Sequence, residues 1–445
     1  QSLDTFFGIT ARIHEFRHLI LKITPYFKST LIGRIVVRLI KFQKIIPLVV
    51  FVMITGCIDD SLEFTSNESD IQESEWGSFS VVAPVDTGIN PYHDHFQKNQ
   101  SLPQSFLDEF GVTMTCELAQ TGTWDERVQA DRETCWNLIT YNDTVYFSGT
   151  WIIGAMGEEG WSETPILDDP NDGHGTAVTG AVIDANPDAV IFFLEGFDGV
   201  RRAAEHPMVD IITTSFGPIG SVPVPGIEDD TEYAVNEMGK LHTGACDNTG
   251  STCVQDATGG PPWSIGIAGF QEDGDRGKVM HCSGTAPDIV ADWTQNLPDH
   301  DSIDGYHDTS GTSFATPRTA GVLSLVIQEL REQAGDMGSG GRNGSLIYSE
   351  NTSITNYDIR RSMEKASYFP DASEYDPGAN EGACQTGVPV SPIAPYTQTG
   401  WGVVDPTLTE TIIQDLNGSS PLSDKDFDCE TYMDSIMAAR VAYWS

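Results

Sequence analysis

Positive charge is scarce in this 445-residue chain: 24 Lys and Arg stand against 65 Asp and Glu, a net charge of −41. Eight of the basic residues fall within residues 1–44 with only two acidic ones, so a basic leader precedes a very acidic body. That body repels phosphate backbones and anionic lipid headgroups, which excludes a nucleic-acid-binding role. It suits solubility in high salt. No CxxC pair occurs among the eight cysteines, which argues against a zinc ribbon or a dithiol redox motif. The apolar run Ile45 to Gly56 is too short for a comfortable membrane span. Residues 1–33 hold no methionine, the first being Met53; they do not read as a normal leader and receive no assignment.

Arg34, Arg38, Lys41 and Lys44, then the apolar run, then small residues form a secretory signal pattern over residues 34–56. Its end, Ile54-Thr55-Gly56-Cys57, resembles the lipobox of secreted lipoproteins, which implies lipid attachment at Cys57. An uncleaved anchor and an ordinary signal are the alternatives. Ile58 to Ser74, rich in Asp, Glu, Ser and Asn, cannot form a core and makes residues 57–76 a flexible tether. Its reach is on the order of 25 Å. The body is therefore expected outside the cytoplasm, at the cell surface and held to a membrane through lipid, where disulfides can persist.

Gly311-Thr312-Ser313-Phe314-Ala315-Thr316-Pro317 reads as a tight turn delivering a serine to the first turn of a long helix. Ala320, Val322, Leu323, Val326, Ile327 and Leu330 follow at spacings that bury one face. A helix N-terminus offers unpaired N–H groups and partial positive charge, which stabilise negative charge developing at such a serine. Pro317 is expected in the first turn, where an N–H has no helical partner. Alone, the serine is a helix cap. Two further motifs change that.

Phe79 to Val85 is apolar and β-prone and ends in Asp86-Thr87-Gly88, placing a carboxylate at the carboxyl end of a buried strand. Asp-Thr-Gly also marks aspartic proteases, but that chemistry needs two such carboxylates and the chain has one copy. In Asn171-Asp172-Gly173-His174-Gly175-Thr176 the flanking glycines leave the imidazole accessible, although alone it reads equally as a satisfied surface or core group. Taken together, the three motifs offer an orienting carboxylate, a proton acceptor and a nucleophile.

On these residues the sequence resembles the subtilisin-like serine proteases, or subtilases. VVAPVDTGI is similar to the family's aspartate motif, DGHGTAVTG to its histidine motif and GTSFATPRTAG to its serine motif. The resemblance spans about residues 79–405 and includes Gly400 to Asp405, similar to the closing strand of the family's catalytic domain. It implies a subtilisin-like α/β fold, three layers around a mostly parallel doubly wound sheet, with the peptidase domain over residues 77–409. It implies a serine endopeptidase acting on polypeptides, a monomer, with Asp86, His174 and Ser313 as triad. No cofactor is implied for catalysis; structural calcium is common in the family, and no metal ligands can be named. Ala245 to Gly250 is similar to the oxyanion segment and places that role on Asn248, whose other reading is a turn residue before Gly250. Ile211 to Gly217 resembles the segment that grips substrate as an added strand, which assigns Ser215, Phe216 and Gly217 to peptide binding. Ile211 and Ile212 read equally as core.

The chain also departs from the family. Asp86 and His174 are 88 residues apart, implying an insertion near residues 97–165 with Cys116, Cys135, Trp124, Trp136 and Trp151, either a cleft wall or a surface decoration. Ala177 and Arg318 stand where the family usually has histidine. The 28 residues between Cys57 and Asp86 are too few for a folded inhibitory propeptide. His93-Asp94-His95 suits a metal site or, equally, a loop. Closeness in sequence suggests disulfides Cys116–Cys135, Cys246–Cys253 and Cys384–Cys429, leaving Cys282, though connectivity cannot be deduced. Residues 410–445 run past the domain with a helix expected from Tyr432 to Tyr443, either packed on it or binding a partner. The rival to an enzyme is an inactive surface binding protein that keeps the fold.

Overall fold

A continuous apolar strand needs cover on both faces, and the run ending at Asp86 gets it at the centre of a ten-stranded sheet. The computed structural model describes residues 79–157, 163–168, 172–216, 226–246, 248, 258–273, 276–280, 287–334, 347–349, 352–369 and 394–444. The signal at 34–56, Cys57 and the tether lie outside the described residues, as do Gly217, Cys253, Cys282 and Cys384.

Strand Val81–Asp86 (β1) is followed by helix Gln104–Phe110 (α1), strand Met114–Cys116 (β2), helix Trp124–Asp131 (α2) and strands Val145–Phe147 (β3) and Ile152–Met156 (β4). Then come His174–Ala185 (α3), Val190–Glu195 (β5), Gly199–Glu205 (α4), Ile211–Thr214 (β6), Ile227–Glu232 (α5) and Leu241–Ala245 (β7). Ile265–Asp273 (β8) and Arg276–Met280 (β9) form a hairpin, and Ile289–Asp292 (β10) follows. A separate hairpin of Thr294–Pro298 (β11) and Tyr306–Ser310 (β12) leads into the long helix Thr312–Ala334 (α6). A small hairpin, Ile347–Ser349 (β13) with Thr352–Ile354 (β14), precedes Asn356–Ala366 (α7), the single turn Tyr396–Thr399 (α8), Thr409–Leu416 (α9) and Phe427–Trp444 (α10).

The sheet runs β10-β8-β7-β6-β1-β5-β4-β3-β2, with β9 on β8. Its β3–β4 and β8–β9 pairs are antiparallel and the others parallel, so the fold is α/β with a mostly parallel, doubly wound sheet. Alternation along β1 divides its side chains between two helical layers. Val82 packs with Val182 of α3 and Leu323 and Val326 of α6, while Val81, Ala83 and Val85 pack with Phe106 and Phe110 of α1 and Val200 and Ala203 of α4. From β1 the chain travels to one edge and returns to β5, then crosses β1 to reach β6. Sheets of this kind bind ligands in a crevice beside such a reversal, which here lies at the carboxyl ends of β1, β5 and β6.

Much of residues 97–165 joins this sheet: β4 pairs with β5, and β3 and β2 extend the edge. A Cys116–Cys135 disulfide ties that edge to the segment after α2. Trp136 is buried beside it and donates from Nε1 to the Tyr92 hydroxyl (2.9 Å).

Three sequence expectations are corrected. Gly400 to Asp405 forms only isolated bridges, Val403 with Val290 and Tyr368, because Gly400 and Gly402 sit at φ 59° and 133°, outside strand geometry. Cys429 is a free, buried thiol packed in the main core, so the pairing with Cys384 does not form. The C-terminal helix is longer than expected and packs on the domain. Its Arg440, fully buried, donates to Asp288 Oδ2 (2.6 Å), while Asp288 Oδ1 accepts from Arg360 (3.1 Å) and Oδ2 from the Gly266 N–H (2.7 Å).

Candidate active site

β1 delivers Asp86 to the crevice and α3 starts at His174, whose Nδ1 lies 2.7 Å from Asp86 Oδ1. That oxygen also accepts from the Thr87 N–H (2.8 Å), while Asp86 Oδ2 is buried with no partner among the described residues. The close approach depends on glycine: a Cβ on Gly175 would collide with the Gly88 carbonyl. Burial alone would lower the His174 pKa. The charge of Asp86 and its hydrogen bond, with Asp172 and Asp168 adding, outweigh burial and push it up to about 9.

Ser313 is the second residue of α6, whose first turns face His174: the Phe314 and His174 rings lie 5.7 Å apart. No hydrogen bond among the described residues joins Ser313 Oγ to His174. Ser313 Oγ donates instead to the Ser215 carbonyl (3.3 Å), and Ser215 Oγ donates back to the Ser313 carbonyl (2.7 Å). The second bond revises the expectation for Pro317. This proline is the sixth helical residue, past the first turn, so its missing N–H would have served the Ser313 carbonyl. The Ser215 hydroxyl takes that place.

Asn248 stands beside the same turn. Its Oδ1 accepts from the Thr312 N–H (2.8 Å) and hydroxyl (3.0 Å), which caps α6 and fixes the amide with its nitrogen as the donor end. Asn248 Nδ2 is 3.4 Å from where a Gly311 Cβ would stand. Ala177 packs with Val178, Ala181, Leu297 and Phe314, so an apolar cluster fills the space beside it. Arg318 is half-buried, its Nε without a partner among the described residues.

Residues that motif reading missed complete the surroundings. Asp168, 2% exposed, accepts at Oδ2 from the Thr176 N–H (2.9 Å) and hydroxyl (2.6 Å), and at Oδ1 from the Thr87 hydroxyl (3.1 Å). Thr87 Oγ1 in turn accepts from the Gly175 N–H (3.1 Å). Burial pushes Asp168 up to about 6, against the Thr176 hydroxyl and N–H that favour its charge. Buried Glu195, which ends β5 opposite Asp86, accepts from the Ile166 N–H (2.6 Å). The threonines sit inside the motifs, but their carboxylate comes from a segment with no pattern of its own. Two hydroxyls beside two site residues were the only signal for it.

No family model matches the chain, and no curated protein matches it in sequence. Solved structures do match. Fervidolysin from Fervidobacterium pennivorans, a keratinolytic enzyme related to subtilisin, is 17% identical over 79% of this chain, with a TM-score of 0.43; the match covers 44% of fervidolysin. A lanthipeptide protease is 14% identical over 76% of this chain and 88% of its own, TM-score 0.44. A cold-adapted subtilisin-like serine proteinase is 17% identical over 64% and 89%, TM-score 0.35. What chemistry the chain can do is read from its own side chains.

The expected substrate segment ends β6. Ser215 is buried and engaged with Ser313, Phe216 stacks on Phe197 (4.1 Å between centroids), and the Phe216 carbonyl accepts from the Thr258 hydroxyl (2.8 Å). Gly217 is outside the described residues. His93 is buried, its Nε2 against the Gly305 carbonyl (2.7 Å) and its Nδ1 accepting from the His95 N–H (3.1 Å), so both ring nitrogens serve the loop. Among the described residues no group of His, Cys, Asp and Glu is arranged to hold a metal ion.

Proposed function

We propose that the chain is a serine endopeptidase of the subtilase type. The observation that carries the reading is the 2.7 Å pairing of His174 Nδ1 with buried Asp86 Oδ1, beside a serine at the N-terminus of a buried helix. Ser313 Oγ leaves the Ser215 carbonyl and attacks the scissile carbonyl carbon, passing its proton to His174 Nε2. Asp86 holds the imidazole in the tautomer that leaves Nε2 basic and stabilises the imidazolium. Asn248 Nδ2 and the Ser313 N–H donate to the oxyanion. The imidazolium then protonates the departing amine, and water activated by the same imidazole hydrolyses the acyl-enzyme. Ser215 and Phe216, on the edge of the crevice, would border an extended peptide.

Fluorophosphonate labelling of the wild type, compared with Ser313→Ala, tests this. Covalent label on the wild type alone is expected, and an unlabelled wild type at pH 9 refutes it. The Ser313–Ser215 hydrogen bond favours a second reading, a catalytically silent binding protein, which that negative result would support. The anchor is a separate proposal: Cys57 carries lipid, and detergent-phase partitioning that survives Cys57→Ser would overturn it. Structural calcium also stays a proposal, and unfolding midpoints unmoved by chelator would remove it.

A further inference from the structure

The geometry points to Asp168 as a positioning residue that holds the Asp86 turn and the His174 helix start in register. It rests on the reading of His174 as base. The carboxylate gathers three donors from two separate elements: the Thr87 hydroxyl after β1, and the N–H and hydroxyl of Thr176 in the first turn of α3. Thr87 also accepts from Gly175, and Thr176 Oγ1 accepts from the Asn90 N–H (2.9 Å), so each threonine is a bridge with Asp168 at its far end. Asp86 immediately precedes Thr87, and His174 stands two residues before Thr176 and immediately before Gly175. A 2.7 Å contact between two short motifs 88 residues apart is preserved by this clamp and by the glycine approach behind it.

The segment bearing Asp168 is built for that placement. Ile166, fully buried and β-branched, sits at φ 67°, a strained conformation that persists only where its surroundings impose it. Glu195 takes its N–H, the Ile89 N–H takes its carbonyl (2.8 Å), and the Asp168 N–H reaches the Ile89 carbonyl (3.3 Å). The chain is thereby turned at Ile166 and stitched to the loop after Asp86, leaving Asp168 aimed at both threonines. Among the described residues the titratable groups acting on it are Asp86, from β1, and His174, from α3.

The test compares Asp168→Ala, Thr176→Val and Thr176→Ser in the full chain. Two readouts are taken: the low-field Nδ1–H proton and titration of His174 by NMR, and kcat and KM on a peptide substrate. Asp168→Ala and Thr176→Val should weaken or abolish the Nδ1–H signal and lower kcat by about tenfold to a hundredfold with KM nearly unchanged. Thr176→Ser, which keeps the hydroxyl, should retain wild-type values. If Asp168→Ala does not fold, the Thr176 pair decides alone. A wild-type signal and kcat in Asp168→Ala, or a Thr176→Ser as impaired as Thr176→Val, overturns the inference. An unlabelled wild-type enzyme would remove the protease reading only, since the NMR arm reads the Asp86–His174 pair without turnover.

Discussion

On the protease reading, raising the pH should switch activity on and loosen the fold through one titration. His174 must be neutral to accept the Ser313 proton, yet Asp86, assisted by Asp172 and Asp168, pushes its pKa up to about 9. At pH 7 only about one molecule in a hundred would then carry a neutral imidazole, so kcat/KM should climb roughly tenfold per pH unit to a plateau above 9. Stability runs the other way. A folded pKa above the usual 6.5 favours the folded state fully below pH 6.5, and that contribution disappears as pH rises through 9. At 1.36 kcal/mol per unit the span is worth at most about 3 kcal/mol, solvent reaching part of the imidazole. The assay is kcat/KM on a peptide substrate from pH 6 to 10, beside the unfolding free energies of wild type and His174→Ala over the same range. Asp86→Asn removes the charge that outweighs burial, so its activity limb should fall below 6.5, with kcat lower by about 10⁴-fold. A wild-type limb at or below 6.5, with no difference in stability slope between wild type and His174→Ala, would refute the electrostatic account.

Three other perturbations separate roles that sit close together. On the proposed oxyanion role, Asn248→Ala should lower kcat by about 10²–10³ with little change in KM, measured by steady-state kinetics, since its donor would act only on charge that develops in the transition state. Arg440→Met should destabilise by about 3–5 kcal/mol in denaturant unfolding, because Asp288 stays buried with one cation fewer. Ser215→Ala should cost about 1–3 kcal/mol by leaving the Ser313 carbonyl without a donor. Adding Pro317→Ala restores a backbone N–H and should recover part of that, and a strictly additive double mutant would show that the hydroxyl does not substitute for it.

The legible parts of the sequence were those whose signal is local. β1 is a run of apolar residues closed by a carboxylate, α6 has threes-and-fours spacing behind a glycine turn, and Cys116 and Cys135 pair across a short separation. Each could be read because the residues that determine it are neighbours in the chain. Cys429 was misassigned because a thiol in a core and a thiol in a disulfide look identical until its neighbours are known. Gly400 to Asp405 is expected as a strand only through its similarity to the family's closing strand, and positive φ at its glycines leaves isolated bridges instead.

Asp168 and Ser215 define the harder class. Their work is to satisfy atoms belonging to distant residues: a carboxylate for Thr87 and Thr176, a hydroxyl for the carbonyl that Pro317 cannot serve. The need follows once the structure places Pro317 past the first turn, since a proline inside a helix leaves a carbonyl four residues back without its donor, and a buried threonine hydroxyl needs an acceptor. What the sequence could not show was which residue would answer, because that is decided by the sheet order bringing β6 beside β1 and by Ile166 turning Asp168 inward. The nucleophile's helix therefore carries a defect at Pro317 that only the tertiary fold repairs, and the repair comes from the strand end where the substrate segment begins. On the protease reading, substrate docking and the geometry of Ser313 are coupled through that one hydroxyl and the carbonyl beside it.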